Sequence, residues 1–153
     1  MSISAAMPTR RRLLLAVPLL ALAGCGSAES GPFLAYAGGG FIFNYRTANH
    51  YYGLVMRQRR SLPEGGRIEV RFEVPGGEEV QSEPVTAGRL QYKFQTGDLD
   101  GIVPGHGYTA SVRLLDRAGK ELERFDKRFT TTVDQSTLPD TPLVTGPGYQ
   151  PAK

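Results

Sequence analysis

From Arg67 to Val74 the chain alternates without a break, with Ile68, Val70, Phe72 and Val74 on one side and Arg67, Glu69, Arg71 and Glu73 on the other. A period of two predicts a β-strand with one buried and one wet face, the signature of an antiparallel sheet, since buried parallel strands read as continuous apolar runs. The same period recurs along the chain. Phe41 to Arg46 sets Phe41, Phe43 and Tyr45 against Ile42, Asn44 and Arg46. Tyr51 to Arg60 puts Tyr52, Leu54 and Met56 on one face and Tyr51, Gly53, Val55, Arg57 and Arg59 on the other. Arg89 to Gln95 places Leu90, Tyr92 and Phe94 inward, and Tyr108 to Leu115 does so with Tyr108, Ala110, Val112 and Leu114.

Between these runs lie turn clusters, Pro63-Glu64-Gly65-Gly66 and Pro75-Gly76-Gly77, and a short, poorly patterned strand near Glu79 to Glu83. Asp116-Arg117-Ala118-Gly119 suits a hairpin made of a type I turn and a left-handed glycine, from which Glu121 to Thr132 returns. In that last strand Phe125, Lys127 and Phe129 share a face, so either a bulge re-aims Lys127 or an edge strand carries an inward lysine against edge-to-edge pairing. Six or seven short strands, about ten residues apart, with no helical period, predict an all-β fold: a single antiparallel β-sandwich over residues 41–132. Gly26 to Gly40 is glycine-rich and reads as a flexible tether, about 20 Å in reach, with Phe33, Leu34 and Tyr36 as hints of packing. Val133 to Lys153 reads as an extended Pro/Gly-rich tail.

The run Ile102-Val103-Pro104-Gly105-His106-Gly107-Tyr108 resembles the fibronectin type III pattern, in which an apolar residue and Pro-Gly lead to a tyrosine opening the penultimate strand. The resemblance covers roughly Arg89 to Thr131 and implies a fibronectin-type-III-like or immunoglobulin-like sandwich, with Pro104 and Tyr108 as a structural corner whose hydroxyl bonds back to nearby backbone. The chain departs from the family in having no tryptophan. The resemblance implies a binding or spacer module and no activity.

The first 24 residues carry a different signal. Arg10, Arg11 and Arg12 precede an apolar run from Leu13 to Ala23, about eleven residues and too short for the ~20 that span a bilayer. Leu22-Ala23-Gly24-Cys25 resembles the lipobox of bacterial lipoproteins, which implies cleavage between Gly24 and Cys25 and lipidation of the Cys25 sulfur. Thr9 to Leu14 is also similar to a twin-arginine export signal, leaving the export route open. Gly26, rather than aspartate, after the cysteine favours the outer membrane facing the periplasm, with inner membrane or cell surface as alternatives.

Removing that signal changes the charge argument. The whole chain has 18 Lys+Arg against 15 Asp+Glu, and loss of Arg10, Arg11 and Arg12 leaves the two equal. A nucleic-acid or anionic-membrane partner argued from global basicity thereby loses its support. Cys25 is the sole cysteine, so no disulfide supports the core. No catalytic motif is present, and no cofactor is expected beyond the covalent lipid. His50 and His106 read as surface loop histidines, and Asp98 with Asp100 as a solvated turn rather than a calcium loop.

The outward face of Tyr51 to Arg60 is the candidate partner-binding surface, with Tyr51, Val55, Arg57, Arg59 and Arg60, because tyrosine and arginine are enriched at binding hot spots. The functional expectation is a membrane-anchored envelope lipoprotein whose non-catalytic sandwich binds another envelope protein as an accessory or assembly subunit. A glycan- or lipid-binding module using the same Arg/Tyr surface is the alternative, and an unrecognised hydrolase the least favoured.

Overall fold

Seven strands follow the alternating stretches: β1 (Leu34–Asn44), β2 (Asn49–Gln58), β3 (Arg67–Val74), β4 (Gly77–Pro84), β5 (Gln91–Gln95), β6 (Gly107–Leu115) and β7 (Glu121–Thr130). In this computed structural model, which describes residues 30–145, 148, 150 and 151, they form two antiparallel sheets ordered β1-β2-β5 and β4-β3-β6-β7. The expected signal peptide, the Gly24–Cys25 junction and the start of the expected tether lie outside the described residues.

The two sheets are a β-sandwich because each strand has one apolar face to bury. Tyr52, Leu54 and Met56 of β2 and Tyr92 and Phe94 of β5 meet Ile68, Val70 and Phe72 of β3 and Tyr108, Ala110, Val112 and Leu114 of β6, all within 2% of full burial. Tyr52 stands at the centre, its ring edge-on to Phe72 at 5.3 Å and 5.4 Å from Phe129. Burial pushes its phenol well above the ordinary range, so the hydroxyl stays protonated and donates to the Glu73 carbonyl at 2.6 Å.

The expected tether needs correcting: Leu34 to Gly40 is the first part of β1. Tyr36 and Phe41 are an odd number of positions apart and in a regular strand would face opposite ways. A bulge between Tyr36 and Gly38 inserts the extra residue that turns both inward. Tyr36 then stacks on Phe125 at 6.1 Å, and Phe41 packs on Tyr52 at 4.9 Å. The domain therefore starts at Phe33, whose amide, like that of Leu34, donates to the Glu123 carboxylate of β7.

Other boundaries shift less. Arg59 and Arg60 lie beyond the end of β2, and Leu90 precedes β5 and is 66% exposed rather than inward. β7 is the outer strand of its sheet, and the inward Lys127 is the edge device: its ammonium lies 4.8 Å from the centre of the Tyr36 ring. The register shift near it falls instead at Leu114/Leu115 on β6, next to the hairpin. There Gly119 takes φ +83 and its N–H donates to Asp116 O at 3.0 Å, as expected. The described part of the tail packs on the domain: the Gln135 amide donates to Leu99 O and accepts from Ile102 N–H, and Val144–Thr145 pairs with Gln150–Pro151.

Two ends of the sandwich can be told apart from the registers. One gathers the start of β1, the end of β2, the 116–119 turn and the loops at 59–66 and 85–90, since Gly66 O accepts from Val85 N–H and Arg117 packs over Gly65. The other gathers the 45–48, 75–76 and 97–106 loops and the start of the tail.

Candidate functional site

On the outer face of β1-β2-β5 the registers line up three strands. Ile42 is opposite Tyr51; Gly40, Gly53 and Gln95 form the next row; Gly38, Val55 and Lys93 the next; Ala35, Arg57 and Gln91 the last. Two rows floored by glycine leave a shallow trough of about 290 Å³, walled by Ile42, Tyr51, Val55, Lys93 and Gln95. Ile42 is 45% exposed.

The glycines are not equivalent. A Cβ on Gly53 would lie 2.5 Å from Phe94 O and 2.9 Å from Gln95 Cβ, and one on Gly39, at φ +154, 2.3 Å from Gly53 O. Close main-chain approach requires both to be glycine. Gly38 and Gly40 have nothing within 4 Å of an added Cβ, so packing does not account for the bare backbone there.

Charge separates the two outer faces. On the four-stranded sheet Arg113 pairs with Glu69 at 3.0 Å and with Glu121 at 2.6 Å, and Arg71 with Glu78 at 2.9 Å. No carboxylate stands in the trough's rows, where exposed Arg57 and Lys93 are the ionic groups.

The predicted surface is thus divided. Tyr51 and Val55 line the trough, and Arg57 continues its face. Arg59 follows the strand end, exposed, its N–H donating to Phe33 O at 2.8 Å. Arg60 does not join the face: its guanidinium lies 3.5 Å from the centre of the Phe33 ring, on the root of β1. Sequence reasoning missed Ile42, Gly40, Lys93 and Gln95. Gly38 to Gly40 read as linker, and the pairing that brings Lys93 beside Val55 joins strands far apart in the chain. Phe33 lies under Arg60, Tyr36 on Phe125, and Leu143 against Arg46 O with 51% of its surface exposed, so none of the three covers the trough.

The histidines differ from one another. His50 is buried, a correction to its reading as a loop residue, because it sits in β2 with its ring 5.7 Å from Phe43. Asp98 accepts from His50 N–H and from the Asn49 amide, fastening the 97–106 loop to β2. Among the described residues no group of three His, Cys, Asp or Glu side chains comes together. His106 is exposed, with Nε2 2.8 Å from one Glu73 oxygen, while the other accepts from Thr109 N–H at 3.0 Å.

The His106 contact first, and then the Thr109 amide, hold the Glu73 carboxyl below the usual carboxylate range. A folded-state value below the unfolded one gives stability that is complete above about pH 4.5 and is lost as pH falls through the folded value. Glu73→Gln should therefore lose less of its denaturation midpoint than wild type between about pH 5 and 3. The effect is small because both side chains are more than a third exposed. Parallel acid profiles for the two proteins would show that solvent screens the contact away.

No protein-family model matches the chain, and no curated protein matches it.

Proposed function

We propose that this protein is a lipid-anchored component of a bacterial cell envelope, whose non-catalytic sandwich holds another envelope protein in the trough on its three-stranded sheet. The observation that carries this reading is the bare backbone at Gly38 and Gly40. It is required by no neighbour, and it lies between an aromatic, two aliphatics and a lysine in rows that hold no carboxylate. A row of apolar side chains from a partner, flanked by an acidic residue for Lys93, fits such a floor.

The anchor rests on Arg10 to Arg12, the apolar run to Ala23 and the lipobox-like Leu22-Ala23-Gly24-Cys25. Lipid on Cys25 would place the domain on the outer membrane, facing the periplasm. We read the sandwich as fibronectin-type-III-like rather than constant-type immunoglobulin-like. The Tyr108 corner suits both. Against the second stands β4, which pairs with β3, whereas the immunoglobulin constant arrangement puts the fourth strand on the sheet of strands one, two and five.

Gly40→Leu tests the function without threatening the fold, since the side chain enters open space and exposed substitutions change stability by within about 0.5 kcal/mol. The variant should fold with an unchanged midpoint and lose the envelope protein that cross-links to a photoreactive group at position 51 of the wild type. Retention of the same cross-linked partner at unchanged yield would remove the trough from the function. A cross-link to glycan rather than protein would favour the glycan-binding alternative.

A further inference from the structure

We infer that the end of the sandwich at the root of β1 lies on the anionic phospholipid headgroups of the membrane that holds Cys25, so that the domain stands on its basic end. The inference rests on the lipid-anchor reading. It draws on two observations independent of the lipobox: where the folded chain begins, and how charge is divided between the two ends.

The chain is fixed from Phe33 onward. The Phe33 and Leu34 amides are tied to the Glu123 carboxylate, and Phe33 O accepts from Arg59 N–H. Eight residue steps separate Cys25 from Phe33; at ~3.6 Å each they cannot reach beyond about 29 Å. The β1 root is therefore the end closest to the anchor.

That end is cationic. Arg57, Arg59, Arg67, Arg117 and Lys120 are all exposed there. Of its acids, Glu121 and Glu83 are matched by Arg113 and Arg89. Glu123 on the β1 amides, Asp116 on the amides of its own turn and exposed Glu64 keep their charge, and the five cations exceed them. The far end carries Glu73, Glu78, Glu79, Asp98, Asp100, Asp134 and Asp140 against Arg46, Lys127 and Arg128. Equal numbers of cations and anions in the mature chain thus conceal a dipole along the strands. Each cation brought to an anionic surface strengthens attachment about five-fold, and the repelled acidic end adds to the preference. The attraction acts over ~8–10 Å at moderate salt, and the short connection keeps the root close enough to come within that range. Arginine suits the contact because its guanidinium takes phosphate oxygens in pairs. With the domain upright, the trough faces sideways, open to a neighbour in the same membrane.

The test uses the mature lipidated protein in vesicles of phosphatidylcholine with or without phosphatidylglycerol at about one lipid in three. A fluorophore is attached through Ala118→Cys at the basic end or Asp100→Cys at the far end, and a nitroxide on the headgroup quenches it. Quenching at 118 should exceed that at 100 several-fold in anionic vesicles. That excess should shrink to the smaller one the short connection alone imposes in pure phosphatidylcholine, in ~0.5 M salt, and in the triple variant Arg57→Gln, Arg59→Gln, Arg117→Gln.

A preference undiminished by all three changes would show that the connection alone sets the pose, and absence of any preference in anionic vesicles would equally overturn the inference. So would a triple variant that loses a protein partner while keeping its pose, since the arginines would then serve that partner. Mass spectrometry of the N-terminal peptide separates the two readings. If no acyl mass is found, the anchor reading fails on its own. The basic end is then judged by sedimentation with vesicles, where binding to phosphatidylglycerol but not phosphatidylcholine upholds it and no binding overturns it.

Discussion

Tyr108→Ala is expected to cost about 3–5 kcal/mol, enough to consume much of the stability of a domain this size. The ring is 2% exposed and touches aromatic neighbours on three sides: Phe41 edge-on at 5.6 Å, Tyr52 at 6.1 Å and His106 edge-on at 4.5 Å. Its removal leaves a cavity bounded by both sheets. The hydroxyl accepts from Val103 N–H at 2.9 Å, just before a turn in which Pro104 and Gly105, at φ +77, hold the positions a type II turn assigns to proline and glycine. Tyr108→Phe keeps the ring and leaves that one amide without its acceptor, a loss of about 1 kcal/mol because Val103 is near solvent. Urea midpoints for the pair would separate the two contributions. A Tyr108→Ala midpoint equal to wild type would mean that the corner does not fasten the 97–106 loop to the sheet.

The corner was legible in the sequence because everything it needs is local: Pro104, Gly105 and Tyr108 lie within one turn and the start of one strand. For the same reason β3, β6 and the Asp116–Gly119 hairpin could be placed to within a residue or two. A strand with one wet face writes its burial as a period of two. β1 was lost from the tether boundary because its inward residues do not keep that period. Tyr36 and Phe41 face the same side only through the bulge, and three glycines between them carry no side chain to show a face. His50 was misread because a polar residue beside a turn signals solvent, whereas strand β2 begins at Asn49 and already turns His50 inward against Phe43.

The candidate site was half legible. Tyr51, Val55 and Arg57 follow from the parity of β2, since residues two apart share a face wherever the strand goes. Lys93 and Gln95 do not follow, because their place beside β2 depends on sheet order, which no local pattern encodes. Arg59 and Arg60 were assigned to that face on the assumption that β2 continued through them. It ends at Gln58, and the next two arginines belong to the end of the sandwich. The surface read as one patch is therefore two, an apolar trough and a basic end, at right angles to each other along the strand.

Gly53→Ala is expected to cost about 2–3 kcal/mol, the range of a core overpacked by a methyl group, although the position faces outward. The added carbon would meet Phe94 O and the Cα and Cβ of Gln95 at 2.5–3.0 Å. These are backbone and root atoms of the neighbouring strand, which cannot turn aside as a long side chain does. β5 would have to slide, taking the fully buried Tyr92 and Phe94 with it. Gly39→Ala should be at least as severe, because its Cβ would approach Gly53 O and its φ of +154 is one that glycine favours. Gly40→Ala, directly across from Gly53 in the same row, should cost nothing and gain as much as ~0.5–1 kcal/mol from the reduced freedom of the unfolded chain. The contrast is the informative measurement. If all three variants lost stability alike, every glycine of the trough would be there for the sheet, and the floor would be a consequence of folding. If Gly40→Ala alone is neutral or stabilising, the fold would tolerate a side chain that the protein does not use, and the open floor must be explained by what lies on it.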